Sequence, residues 1–413
     1  MRYPMSDLSP FLIPRGFRFG ATKAGVKASG RADFAMIVAD LPANAAAAFT
    51  SNRVTAAPLI LDKEHLRITG GKVRIVAINA GNANCATGQA GLAAARATCV
   101  AAGNLFHCRP EDVFPSSTGV IGVPLPAERL IAAMPELAKT LGAEPDRFEE
   151  AATAILTTDT RQKTAFARVP LHSTEGQGPR EVRIAAFGKG AGMIHPQLVP
   201  HATMLVYILT DAEILTQDLQ TYLRGAIEKS FNRISVDGDT STNDTVLLLA
   251  SGASGARVGA GHRAFEAALN QVCVSLAKQI VGDGEGISHL VELRIHGAAN
   301  HDDALRVARA IAHSPLVKTA WAGCDPNWGR LVAAIGYSGA EIDPARIDIR
   351  FGDLPICFNG GRAPGYDEAA AHEYIKQPEF SITIELHQGA GSCVFWTTDL
   401  TTEYVHINAD YSS

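Results

Sequence analysis

The residues able to do chemistry in this 413-residue chain are mostly hydroxyls, amides and glycines gathered in short motifs. Ser116-Ser117-Thr118-Gly119-Val120-Ile121-Gly122 could offer a hydroxyl and a closely approaching backbone amide to a developing oxyanion, as acyl transfer requires. The same run also suits a plain turn before a helix opened at Pro126. Asp237-Gly238-Asp239-Thr240-Ser241-Thr242-Asn243-Asp244 is dense in short polar side chains. An EF-hand needs Gly after the third ligand position and Glu at the twelfth, and neither fits, so Asx and Ser/Thr turns are the plainer reading. Gly282-Asp283-Gly284-Glu285-Gly286 sets a carboxylate among glycines where a helix ends, which a bare C-cap would also explain.

Competing chemistries lack their residues. No G-x-x-x-x-G-K-[ST] run is present, and Gly188/Gly190 and Gly284/Gly286 would need further glycines at Met193 and His289 to make a dinucleotide fingerprint. The histidine clusters His195/His201 and His296/His301 have no Cys or carboxylate companions at ligand spacing, so no metal and no resident cofactor are expected. A Gly-x-Ser-x-Gly elbow is absent. Acyl-group chemistry is what remains.

The elements that must position these motifs read as mixed α and β. Val73–Ile78, Val182–Phe187, Leu205–Leu209 and Phe380–Ile384 have the length and β-branched content of strands. Helical spacing runs through Gln89–Ala102, Ala127–Leu141, Asp218–Phe231, His262–Val281 and Asp302–Ala312. In His262–Val281 the residues Phe265, Leu269, Val272, Leu276 and Ile280 form one apolar stripe, the mark of a helix lying on a sheet. Turn-rich stretches fall at His172–Arg180, Ser251–Gly261 and Asn359–Asp367, none long enough for an interdomain linker. The length suggests two to four structural units. A formal charge of −5 offers no field to hold a phosphate backbone, so nucleic acid is not an expected partner. Met1–Gly20 lacks the features of a secretory signal, and no apolar run nears the roughly 18–20 residues of a membrane span. Seven scattered cysteines with no C-x-x-C pair fit reduced thiols and a cytoplasmic location.

Taken in order, the motifs closely resemble the glutamate N-acetyltransferase (ornithine acetyltransferase) family of arginine biosynthesis. The resemblance is carried by Gly16-Phe17-Arg18, Asn79-Ala80-Gly81-Asn82-Ala83-Asn84 with Ala86-Thr87-Gly88, and Ser117–Gly122. It continues through Thr157-Thr158-Asp159-Thr160, Lys189–Ile194, Ala202-Thr203-Met204-Leu205, Ser230–Arg233 to Asp244, and Gly282–Gly286. Ser314–Ala320, Asp325–Arg330 and Ile407–Tyr411 complete it.

That resemblance implies an α/β fold, a layered α-β-β-α-type sandwich of the ornithine acetyltransferase kind, with a smaller C-terminal α/β lobe from about 290 to 413. It implies self-cleavage between Ala202 and Thr203 into an α chain of 1–202 and a β chain of 203–413. Thr203 becomes the nucleophile, and its newly freed α-amine, with an ordinary pKa of about 7.7–8.0, serves as its base. Thr118 and Gly119 stabilise the oxyanion. Thr157, Thr158, Lys189, Thr203, Glu285, Asn408 and Ser413 meet the small-molecule substrates N-acetylornithine and glutamate, with acetyl-CoA as a further donor the sequence leaves open. Lys189 suits a carboxylate and Glu285 a cationic group. The implied assembly is α2β2 or larger, without membrane or nucleic acid.

Two departures stand out. Gln197–His201 makes the approach to Ala202 about three residues longer than the family spacing, and Cys85-Ala86 reverses the order expected. His201 could shuttle a proton during cleavage, though a solvated loop histidine is the plainer reading. The rival enzyme reading is an N-terminal-threonine acyltransferase, amidase or aminopeptidase with another acyl substrate. A binding protein without catalysis is a third, against which the retained Thr203, Thr118 and Gly119 argue.

Overall fold

The computed structural model describes residues 12–171, 180–196 and 204–410, so His201, Ala202, Thr203, Ser413 and most of the turn-rich stretch at 172–180 lie outside it. The first lobe runs β1 (Phe17–Thr22), β2 (Phe34–Phe49), α1 (Ala57–Thr69), β3 (Lys72–Asn82), α2 (Gly88–Phe106), β4 (Val113–Val120), α3 (Ala127–Lys139) and α4 (Pro145–Ala154). It continues β5 (Lys163–Leu171), β6 (Arg180–Lys189), β7 (Leu205–Thr210), α5 (Thr216–Glu228), β8 (Thr245–Ala250) and α6 (Arg263–Val281). The second lobe runs β9 (Leu290–Ala298), α7 (His301–Ala312), α8 (Pro315–Ala322), α9 (Trp328–Gly336), β10 (Asp348–Phe351), β11 (Leu354–Phe358) and β12 (Gly361–Arg362). It closes with α10 (Glu368–Ile375), β13 (Glu379–Glu385), β14 (Gly391–Thr398) and α11 (Thr402–Asp410).

The first sheet has the order β4-β3-β2-β8-β7-β6-β5, with β1 paired to β2. One long strand makes this possible. The first part of β2 pairs with β1 and β3, its register breaks between Val38 and Ala43, and Asn44–Phe49 pairs with β8. Side-chain alternation then sorts the layers, because neighbours along a strand point to opposite faces. Phe34, Met36 and Val38 pack with Cys99, Ala102, Leu130 and Met134 of α2 and α3. Ala35, Ile37 and Ala39 share an inner core with Tyr207, Leu209, Leu247 and Leu249. Val206, Ile208, Val246 and Leu248 turn outward onto Leu219, Leu223, Phe265 and Leu269 of α5 and α6. The result is helix, sheet, sheet, helix, the layering the resemblance implied. Phe148 of α4 is fully buried in the inner core, edge-on to Phe19 and Phe187 at centroid distances of 5.2 and 5.1 Å. Burying such a ring contributes about 1.5–3 kcal/mol.

The second sheet, β12-β11-β10-β13-β9-β14, packs one face on α7 and its neighbours through Leu293, Ile295, Ile382, Ile384 and Phe395 against Val307, Ile311 and Trp321. Local chemistry starts its helices. Asn300, Ser314, Asn327 and Asp367 accept from the backbone N–H groups of Asp303, Val317, Arg330 and Ala370, caps worth about 1 kcal/mol each. Ser314-Pro315 and Asn327 therefore act in two of the sequence motifs as helix-starting signals. Among the described residues no helix is long and apolar enough to cross a membrane.

Candidate active site

Of the motif at Ser116–Gly122, Ser116–Val120 is the end of β4, where a turn was the plainer expectation, and only Ile121 and Gly122 fall in the bend that precedes α3. β3 and β4 run parallel with Asn79 opposite Ser117, Ala80 opposite Thr118 and Gly81 opposite Gly119. Pairing to a neighbouring strand outweighs the turn-forming content of the sequence. Gly119 has φ +132°, and a Cβ there would run into the backbone of Gly81 and Asn82, so only glycine fits this approach.

The asparagine motif before it holds backbone groups. Asn79 donates to Asn82 O at 2.8 Å and its own carbonyl oxygen accepts from Ser117 Oγ at 2.6 Å. Asn82 Oδ1 accepts the N–H of Asn84 at 2.7 Å. Asn243, just ahead of β8, donates to Ala83 O at 2.6 Å and Ser117 O at 2.8 Å. These neutral bonds fix the peptides that lead into Thr118 and Gly119. The Asp237–Asp244 run does contain the expected turns, with Asn243 N–H on Ser241 Oγ at 3.1 Å. Yet Ser241, Thr242, Asn243 and Asp244 also line the site, a role turn chemistry did not reveal.

A second wall is charged. Buried Lys163 places its ammonium 2.5 Å from both Asp159 and Asp283. Asp159 also accepts the backbone N–H groups of Thr157 at 3.0 Å and Gly190 at 2.7 Å, and lies 3.8 Å from Lys189 Nζ. Burial pushes the Asp159 carboxyl up, but Lys189, Lys163 and the Gly190 N–H outweigh it and hold the group well below the usual carboxylate range. Asp237 accepts the N–H groups of Met193 and Ile194 at 2.6 and 2.8 Å, and burial pushes it up to about 6. Glu285 fits against Gly192, where any Cβ would meet its carboxylate, and accepts from Asn408 Nδ2 of α11 at 3.0 Å.

Between the walls lies a cavity of about 140 Å³. Thr118, Gly119, Thr157, Thr158, Lys189, Glu285 and Asn408 all line it, brought together from distant parts of the chain. Met204 and Leu205, which directly follow Thr203, line it too, whereas Ala202, Thr203 and Ser413 fall outside the described residues. Asp159, Lys163 and Asp283 were missed by sequence reasoning. A Lys four residues after the Asp of Thr-Thr-Asp-Thr was the one available signal, since Asp283 lies far along the chain. Hydroxyls and amides on one side with paired charges on the other suit a small polar ligand carrying charges of its own.

Comparison with known proteins shows the chain's family. The profile of the ArgJ family matches residues 18–413. The chain is 44% identical to the arginine biosynthesis bifunctional protein ArgJ of Geobacter sulfurreducens over 401 residues, covering 96% of this chain and 99% of that one. It is 44% identical to the protein of the same name from Thermus thermophilus, over 97% of this chain and 99% of that one. Among solved structures, arginine biosynthesis bifunctional protein ArgJ of Bacillus halodurans matches at 43% identity and a TM-score of 0.48, across 50% of this chain and 98% of that one. Ornithine acetyltransferase of Mycobacterium tuberculosis, solved with ornithine, matches at 32% identity and a TM-score of 0.39, across 45% of this chain and 94% of that one. The chain belongs to the ArgJ family.

Proposed function

We propose that this protein is an acetyltransferase of arginine biosynthesis that moves the acetyl group of N-acetylornithine to glutamate through an acetyl-Thr203 intermediate. It first cuts itself between Ala202 and Thr203 into chains of 1–202 and 203–413, which assemble as α2β2 or larger in the cytoplasm. Thr203 Oγ attacks the acetyl carbonyl, its proton passes to the Thr203 α-amine, and the Thr118 hydroxyl and Gly119 amide take the oxyanion. The acetyl C–N bond breaks and ornithine leaves with that proton; the glutamate amine then attacks the ester, the Thr203 Oγ–C bond breaks, and the proton the amine loses returns through the α-amine to Thr203 Oγ. Lys189 receives a substrate carboxylate and Glu285 a substrate ammonium, with Thr157, Thr158, Asn408 and Ser413 orienting the amino-acid frame. Whether acetyl-CoA is also a donor to glutamate stays open, and the word bifunctional in the relatives' names supports a second activity.

The observation that carries the reading is that every described residue expected at the site lines one cavity together with Met204, the residue after Thr203. Denaturing electrophoresis of the purified protein should give two chains of about half length, and Thr203→Ala should give one inactive 43.6 kDa band. A wild-type single band with full acetyl transfer would refute the mechanism. Assays of glutamate acetylation with N-acetylornithine and with acetyl-CoA decide which donors are used.

A further inference from the structure

Lys27 has no place in the mechanism above, yet it reaches the supports of both walls. Its loop is closed by fully buried Asp33, which accepts the backbone N–H groups of Ala24 at 2.6 Å, Val26 at 2.5 Å and Lys27 at 2.8 Å. Asp33 O in turn accepts the N–H of Ala80 in β3 at 2.8 Å, beside Gly81. Gly81 has φ +103°, and a Cβ there would come within 3.0 Å of Lys27 Cγ and 3.2 Å of Lys27 Cα and N. Glycine is what lets the Lys27 backbone and stem lie so close to β3. Across the β3–β4 pairing Gly81 faces Gly119, whose own Cβ would strike it. Lys27, Gly81 and Gly119 are thus stacked in series behind the neutral wall. The ammonium goes the other way. A half-buried lysine would ordinarily keep its head in water, but this one donates to Ala32 O at 3.0 Å in its own loop and to Ala154 O at 2.7 Å. Ala154 ends α4, where helix carbonyls run out of intrahelical partners and favour a cation. Only Ile155 and Leu156 separate it from Thr157 and Thr158 of the charged wall. Burial lowers the ammonium to about 8, with Arg31 and Lys189 pushing the same way and Asp33 and Asp159 opposing.

We propose that Lys27 is a positioning residue for acetyl transfer, a strut whose stem backs the Gly81–Gly119 strand pair and whose ammonium draws the end of α4, and with it Thr157 and Thr158, toward that pair. The inference rests on the reading that Gly119 takes the oxyanion and that Thr157 and Thr158 orient the amino-acid frame. The strut sets the distance between the place where the acetyl carbonyl reacts and the place where the rest of the substrate is held. Lys27 touches no substrate and moves no proton. Its two ends should therefore fail separately, the ammonium governing how well substrate is held and the stem how well the oxyanion is met.

The test compares Lys27→Met, Lys27→Arg and Lys27→Ala with the wild type in acetyl transfer from N-acetylornithine to glutamate. Lys27→Met keeps the stem and loses the donors, so KM for N-acetylornithine should rise about tenfold, the scale of one charge-assisted hydrogen bond, with kcat largely kept. Lys27→Arg still offers donors to both carbonyls and should recover most of that loss. Lys27→Ala also empties the space against Gly81 and should lower kcat about 10²-fold, the cost of misplacing a reacting group by about 1 Å. An unmoved KM in Lys27→Met overturns the proposal, as does a loss that Lys27→Arg leaves unrecovered. Hydrogen exchange reads the strut without activity. The Thr157 amide, bonded to Asp159 Oδ2 at 3.0 Å, should exchange about tenfold faster in Lys27→Met, and an unchanged rate overturns the proposal. If Lys27→Met does not fold, the wild type decides: N-acetylornithine should slow exchange at Thr157 and at Val26 and Lys27 together, and protection confined to Thr157 overturns the proposal. A wild type that transfers no acetyl group overturns the acetyl-transfer reading and this inference with it, whereas transfer beside an unmoved KM in Lys27→Met overturns the inference alone.

Discussion

The two walls of the cavity are built by opposite means. On the Thr118 wall Asn79, Asn82, Asn243 and Ser117 fix backbone geometry with neutral hydrogen bonds, and among the described residues no ion pair takes part. On the Lys189 wall Lys163 is shared between Asp159 and Asp283, and those carboxylates in turn hold the N–H groups of Thr157, Thr160 and Gly190. Neutral donors can wait for a charge that exists only in a transition state without favouring any ion in the ground state. Buried charges serve a wall that must meet a ligand already charged. On the proposed mechanism, the difference separates a surface that stabilises reaction from one that sorts substrates.

The charged wall should break hardest. Lys163→Met leaves two buried carboxylates without their shared cation and should cost about 3–5 kcal/mol in urea unfolding. A loss under about 1 kcal/mol would mean the loops are held by something else. On the neutral wall Thr118→Val keeps the shape and removes the hydroxyl, so kcat should fall about 10²–10³-fold while stability stays near wild type. An unchanged kcat would take the hydroxyl out of the oxyanion site. Asn408→Ala removes one hydrogen bond to the Glu285 carboxylate, worth about 1.5–3 kcal/mol, and should raise KM by about tenfold or more with kcat largely kept. A kcat effect of that size with unchanged KM would move Asn408 to the reacting side.

The smallest effect concerns Lys318, a buried cation whose hydrogen bonds among the described residues go to neutral groups, Thr397 Oγ1 at 3.5 Å, Thr398 O, and Thr398 Oγ1 at 3.2 Å. Burial lowers it to about 7, against about 10.4 in an unfolded chain. Between those values the unfolded chain binds more protons than the folded one, so stability should rise with pH across that window. Lys318→Met should flatten the rise in denaturation midpoints. An equal slope in the variant would assign it to another group.

Much of the fold was legible because its period was local. The stripe Phe265, Leu269, Val272, Leu276 and Ile280 became the buried face of α6, and Val73–Ile78 sits within β3. The short helices α8 and α9 went unread, since eight or nine residues give too few turns for a period, although Ser314-Pro315 and Asn327 announced their starts. The site residues came from motif resemblance, and seven of them meet at one cavity. The Lys163 cluster stayed hidden because its geometry depends on Asp283, which only the folded sheet brings to Asp159. Likewise nothing local in Asp237–Asp244 tells that Asn243 reaches Ala83 and Ser117.

The strand order carries a last consequence for the cleavage proposed between β6 and β7. Reading β4-β3-β2-β8-β7-β6-β5, the two strands belonging to the downstream fragment are wedged between three upstream strands on one side and two on the other. β7 is zipped to β6 and β8 to β2 along their lengths. Severing the backbone therefore frees an end without freeing a piece. The fragments are interleaved like the fingers of two clasped hands, and parting them would mean unfolding the sheet. Mixing two fragments folded separately should not reproduce a unit that was joined before it was divided.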